Sequence, residues 1–207
     1  MLYDITRTVS ATTAVFPGDT PYSTTLNWDI RKGSSVNLTT ITTTPHVGTH
    51  ADAYFHYLAD GEHPAQMPLE PYIGRARVVS TDQRSGELVV SNFPAGSLDG
   101  IERLLIHTWV SDVPDDQWVE DFPYPSLSLM EALGKSGVKL LGLDVSSMDK
   151  VDSKDLPSHH ALKQYGMVNL ENVLLRGVPD GDYELIALPL KLDAACGSPV
   201  RAVLRSL

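Results

Sequence analysis

Short apolar and β-branched segments separated by turn residues make up most of this chain. Residues 2–8, 24–30 and 36–44 read as strands. The last holds Thr39, Thr40, Thr42, Thr43 and Thr44, and β-branched side chains favour pleated backbone. Further strands are expected over 75–82, 102–108, 183–190 and 199–205. Residues 138–144 read as a buried strand. Helical signals are fewer. Ser128-Leu129-Met130-Glu131 has the capping-box pattern, which predicts a helix from about 129 to 135 with Gly137 just past its end. A second short helix, capped by Ser158, should end at Gly166. The step from residues 129–135 to 138–144 is the clearest α/β unit. Residues 16–21 carry turn chemistry, and 57–74 read as an ordered polar loop. With 207 residues and neither linker nor repeat, one domain with a substantial core is expected.

Composition narrows the class. Hydrophobic content of 42% and charged content of 20% are ordinary for a globular protein. A formal charge of −10 argues against nucleic-acid and anionic-membrane partners, which need cationic surface. No apolar run is long enough to cross a bilayer, and Met1–Arg7 lacks the pattern of a signal peptide. One cysteine, Cys196, excludes an internal disulfide and suits the reducing cytoplasm. Nothing near it in sequence marks it as a nucleophile.

The chemistry concentrates in Pro45–His56. His46, His50, Asp52 and His56 are separated by even intervals, so any extended part points its members to one side. Gly48 shares that parity and leaves room where they converge. Neutral imidazoles and a carboxylate are ligands for Zn²⁺ or Mn²⁺. Two histidines and an aspartate leave coordination positions open, as in catalytic sites, where a metal lowers the pKa of bound water to about 7.

His46-x-Gly48-Thr49-His50-x-Asp52-x-x-x-His56 resembles the signature of the cyclase-like metal hydrolases, and within them the bacterial kynurenine formamidases. Phe16–Pro21 resembles their N-terminal segment, Leu156–Leu162 their second metal segment, and Ser198–Leu204 their C-terminal strand. The resemblance implies a swivelling β/β/α fold: an α/β single domain, a mixed β-rich core with few helices. It implies two Zn²⁺ per subunit, with Mn²⁺ the alternative, and a homodimer. His46, His50 and Asp52 would bind the first ion. Asp52 and Glu171 would bridge to the second, which His159 completes. The residues alone leave His159 and His160 open. His56 matches the family's proton-transfer position, against a further ligand or a residue that orients one. Phe16 stands where the family sets an aromatic against the substrate ring, or else anchors its own loop. The implied reaction is hydrolysis of an aryl formamide, N-formyl-L-kynurenine, to L-kynurenine and formate. A related cyclic-amide hydrolase with one Mn²⁺ would use the first motif without the His159/Glu171 pair. A metal-binding domain without turnover is the rival from another class.

Other polar residues have plainer readings. Glu62 and His63 read as a solvated loop pair, and His107 as a strand-end histidine. Trp109 reads equally as core or pocket. Asp144 and Asp149 read as caps or loop solvation, with orientation of the site as the alternative. Arg201 and Arg205 read as structural or surface charges. Tyr54, where relatives carry proline, restores a backbone donor and is expected to add bulk beside the pocket.

Overall fold

The computed structural model describes residues 1–207. In chain order the elements are β1 (Leu2–Asp4), β2 (Ser23–Trp28), β3 (Leu38–Thr42), β4 (His50–Asp52), β5 (Ile73–Ser80), β6 (Gly86–Leu88), β7 (Arg103–His107), β8 (Pro123–Pro125), α1 (Leu127–Lys135), β9 (Leu140–Leu143), α2 (Pro157–Tyr165), β10 (Val168–Leu170), β11 (Gly181–Ile186), β12 (Gly197–Pro199) and β13 (Val203–Ser206). Seven strands form one mixed sheet in the order β1-β13-β11-β5-β7-β9-β10. The β1-β13-β11-β5 half is antiparallel and the β5-β7-β9-β10 half is parallel.

Both faces of the parallel half are covered, which explains the apolar run of β9. Leu140 packs on one side, with Leu105, Val78 and Tyr72. Leu141 and Leu143 pack on the other, with Leu104, Ile106 and the helix residues Leu129, Met130, Leu133 and Leu162. The period-two alternation of strand side chains thus feeds two cores from one sheet. No helix is long and apolar enough to cross a membrane.

Both helix caps differ from expectation. Ser126, not Ser128, caps α1 by accepting from the Leu129 amide at 3.1 Å. The helix starts two residues early because Leu127 and Ser128 fill its first turn. At α2 the Ser158 hydroxyl donates to Pro125 O instead. The Asp149 carboxylate takes the first amides, Ser158 N at 2.9 Å and His159 N at 3.1 Å. Gly166 ends α2 in the left-handed region, as expected.

The β2–β3 hairpin stands apart. Every residue of both strands is exposed. Leu26, Trp28, Leu38 and Ile41 present apolar surface there, flanked by Ile30 and Val36.

Candidate metal centre

β4 joins the two halves of the site. On one edge His50 and Glu171 exchange backbone hydrogen bonds of 3.2 and 3.0 Å. On the other, β12 pairs antiparallel with Gly197 opposite Asp52. Directly opposed residues share a face, so this ladder sets Glu171 beside His50. His50 and Asp52 share that face by strand parity. Parity does not account for His46 or His56. His46 lies in a turn, and His56 ends a 3-10 turn over Tyr54–His56. Gly48 does not clear space among the ligands as expected. It takes φ +72°, and a Cβ there would meet Val9 Cγ2 at 2.6 Å, so the turn itself needs glycine.

The centre has a buried floor. His50, Asp52, His159 and Glu171 are exposed by 1, 4, 3 and 4%. Asp52 Oδ1 lies 3.0 Å from His46 Nδ1 and 3.4 Å from His50 Nε2. Its other oxygen, Oδ2, lies 3.6 Å from His159 Nε2. Glu171 spans the same gap, with Oε2 3.4 Å from His50 Nε2 and Oε1 3.5 Å from His159 Nε2. Two triads result on the floor, His46/His50/Asp52 and Asp52/His159/Glu171, each with ligand atoms within 4.8 Å of one another; a third group, His46/His56/Cys196, meets the same limit toward the mouth. Asp52 belongs to both. His160, next to His159, is exposed on α2 with its ring against Tyr57.

These residues fit a divalent cation. His50 Nε2 and Asp52 Oδ1 are buried without a hydrogen-bond partner, a costly state for polar atoms unless something else satisfies them. Their far sides are tied down. His50 Nδ1 lies 2.9 Å from Gly48 O and His159 Nδ1 2.6 Å from Asp149 Oδ2. Such ties leave each Nε2 lone pair facing the gap. Asn169 donates from Nδ2 to Asp52 Oδ2 at 2.7 Å and to Glu171 Oε1 at 3.2 Å, and the Met148 amide donates to Glu171 Oε1 at 3.0 Å.

The electrostatics agree with a site built for positive charge. Burial alone pulls His46 and His50 down, but it is outweighed. Asp52 and Cys196 raise His46 to about 9, and Asp52 and Glu171 raise His50 to about 10. Burial likewise pushes Asp52 up, and the His159, His46 and His50 imidazoles override it, leaving it well below the usual carboxylate range. Without a metal, protons carry the charge that the carboxylates demand.

The floor opens to a cavity of about 450 Å³. His56, Cys196 and Phe16 stand at its mouth, with Trp118, Val119 and Phe122 on its wall. The His56 ring is 4.1 Å from the His46 ring and 6.2 Å from that of His159. Phe16 packs edge-to-face on Trp118 at 5.3 Å. Of the remaining candidates, only Cys196 and Asp149 touch the site. Tyr54 is buried away from the cavity and donates to Met167 O at 2.9 Å, so it adds no bulk to the pocket. Glu62 pairs with Lys163 at 2.8 Å, and His63 faces Ala195 O. Trp109 packs on the helix-side core, and Asp144 accepts from Thr108 and Ser111. Arg201 pairs with Asp4 and Arg205 with Glu184.

Sequence reasoning missed Asn169, Trp118 and the neighbours of Cys196. Asn169 lies two before Glu171, so strand parity alone would have placed it on the same face. Cys196 meets His46 Nε2 at 3.1 Å across 150 positions, which no local pattern signals. With His46 foremost and His56 beside it, the thiol is lowered from 9.0 to about 6.

A cluster of histidines and carboxylates on the floor of an aromatic-walled cavity defines a metal-dependent hydrolase. More particularly, the chain belongs to the cyclase family, whose model matches residues 3–150. A kynurenine formamidase of Bacillus cereus is 41% identical over 206 residues, covering 99% of this chain and 97% of the relative. The kynurenine formamidase of Salinibacter ruber is 43% identical over 209 residues, again covering 99% and 97%. The fold is shared with isatin hydrolase A from Labrenzia aggregata at a TM-score of 0.83 and 20% identity, covering 99% of this chain and 93% of that one. It is shared equally with a predicted metal-dependent hydrolase from Bacillus stearothermophilus, at 0.83 and 21%, covering 99% and 97%.

Proposed function

We propose that this chain is a kynurenine formamidase, hydrolysing the formamide bond of N-formyl-L-kynurenine to give L-kynurenine and formate. The observation that carries the reading is the pair of triads sharing Asp52, in a chain about 41% identical to proteins of that name over nearly its whole length. His46, His50 and Asp52 would hold one ion. Asp52, His159 and Glu171 would hold a second. Carboxylates suit the shared position because each offers two oxygens, and Asp52 turns one oxygen toward each triad. When bound, the ions supply Lewis acidity and lower the pKa of water. We take the ions to be Zn²⁺, two per subunit.

The protein's own side chains do the rest. Asn169 and the Met148 amide keep both carboxylates aimed into the gap. Phe16 and Trp118 offer an apolar wall for the aryl ring. The leaving nitrogen departs as an aryl amine and needs a proton. His56, at the mouth and beside both triads, delivers it as the general acid.

We further take residues 1–207 as one hydrolase domain acting in the cytoplasm as a homodimer. The exposed apolar hairpin β2–β3 supports a second copy, since an isolated two-stranded ribbon is marginal alone. The lone cysteine supports a reducing compartment. The test is a parallel assay of purified, metal-analysed protein on N-formyl-L-kynurenine and isatin. Turnover of the formamide with about two zinc per chain supports the proposal. Turnover of isatin alone, with one ion, would replace it with the cyclic-amide reaction, and metal binding without turnover of either would leave a binding domain.

A further inference from the structure

Three imidazoles face the gap, and each has one nitrogen turned away from it. For His50 the rear nitrogen meets a backbone carbonyl, Gly48 O. For His159 it meets a carboxylate, Asp149 Oδ2. For His46 the inward atom is Nδ1, 3.0 Å from Asp52 Oδ1, and the rear atom Nε2 meets Cys196 Sγ at 3.1 Å. A ligand histidine needs its rear N–H held, because that bond fixes both the tautomer and the direction of the ligating lone pair. The sulfur stands in the position that the carbonyl and the carboxylate occupy behind the other two rings.

The backbone holds the sulfur there. Cys196 O accepts from the Ala53 amide at 3.0 Å, which continues the β4–β12 ladder past Asp52. At the next residue, Gly197, a Cβ would be tightly placed, 3.0 Å from His46 Cε1 and 3.0 Å from Ala51 O. Two walls therefore clamp the His46 ring, Gly197 on its edge and Cys196 at its rear. The ring is also the least buried of the three, with 17% of its side chain exposed against 1% for His50 and 4% for His159. A ring with less packing around it depends more on its rear bond. Independently, His50 Nε2 and Asp52 Oδ1 are buried, unpartnered and close to the point at which His46 Nδ1 aims.

We propose that Cys196 is the positioning residue for His46: its sulfur accepts the Nε2–H and so presents Nδ1 to the first ion. The proposal rests on the metal-hydrolase reading above. It makes the thiol part of the first triad's support and leaves the Asp52/His159/Glu171 triad independent of it.

The experiment is a competitive chelator titration with Zn²⁺ on the wild type, Cys196→Ala and Cys196→Ser. It is joined to the ¹⁵N histidine spectrum of the zinc-loaded wild type. Losing the rear acceptor in Cys196→Ala should weaken one of two zinc sites by about 10–100-fold and leave the other within a few-fold. Cys196→Ser, which keeps a hydrogen-bond acceptor, should restore most of the loss. In the spectrum, His46 should carry its proton on Nε2 and its metal on Nδ1. Zinc affinity in Cys196→Ala unchanged from the wild type at both sites would overturn the proposal, as would a His46 ring that binds zinc through Nε2. The spectrum needs no variant, so it decides the matter even if Cys196→Ala does not fold. A wild type that binds no zinc would remove the metal reading itself and this proposal with it.

Discussion

The floor and the mouth of the cavity are built by opposite rules. On the floor, His50, Asp52, His159 and Glu171 are almost wholly buried, and polar contacts from the backbone, Asn169 or Asp149 tie down each of them. At the mouth, His56 and Phe16 are exposed and Cys196 is partly so. Burying ionisable groups is costly unless each is paired or bound to a metal. The floor is therefore suited to holding cations, and the mouth, open to solvent, to handling substrate and protons. Floor substitutions should act through metal content, and substitutions of His56 and Phe16 through turnover at full metal content; Cys196, although at the mouth, backs the His46 ring and should act with the floor.

The largest effect should come from Asp52→Ala, which removes an oxygen from each triad. Metal analysis should find both ions lost and activity down by more than about 1,000-fold, beyond the 10–100-fold typical of a residue that only orients a ligand. Full occupancy in this variant would break the division between floor and mouth. His56→Ala is the mirror case. Metal content should hold while kcat falls by roughly 10²–10⁴-fold, the usual contribution of a positioned acid or base. Metal loss there would move His56 to the floor.

Protons sharpen the comparison next. His46 and His50 are raised to about 9 and about 10, above the ordinary imidazole value of 6.5. A folded-state pKa above the unfolded one stabilises fully below the unfolded value and is lost as pH rises through the folded one. Thermal unfolding of chelator-treated protein should therefore show stability falling between about pH 6.5 and pH 10. Zinc affinity should run the other way, since binding expels those protons, rising by up to about tenfold per pH unit for each proton displaced. A pH-independent zinc affinity would contradict the proton-for-metal exchange.

Asp149→Ala should cost zinc affinity by about 10–100-fold, because Asp149 holds the rear nitrogen of His159. It should also lower thermal stability by about 1 kcal/mol as a lost helix cap. Smallest of all, Phe16→Ala should raise KM a few-fold with kcat and metal content unchanged, matching the roughly 0.5–1.5 kcal/mol of an aromatic contact.

How much of this was legible in the chain depends on the distance between partners. The segment holding His46, His50 and Asp52 announced itself, because a dense local cluster of imidazoles and a carboxylate is rare and its spacing is readable. Strand parity holds for His50 and Asp52, which lie on one short strand, and does not reach His46 and His56, which turns place. The pairing of His159 over His160 came from the family resemblance. In the structure its local basis is Asp149, which caps α2 and fixes which of two neighbouring rings turns inward. Strands β4 and β12 went unread because they are three residues long and mean something only through their partners. The surroundings of Cys196 are invisible in sequence for the same reason: its basic neighbours are close in space and far along the chain. Among the strands, the long apolar ones of the central sheet were found within a few residues, since burial on one or two faces leaves a pattern that short edge pairings do not.

The most direct test is anomalous diffraction from crystals of the zinc-loaded protein, measured on both sides of the zinc absorption edge. The account predicts two zinc peaks in each protein molecule, one touching His46, His50 and Asp52 and the other touching Asp52, His159 and Glu171. A single peak on the first triad with Glu171 and His159 unligated, or no peak between Asp52 and Glu171, would contradict it.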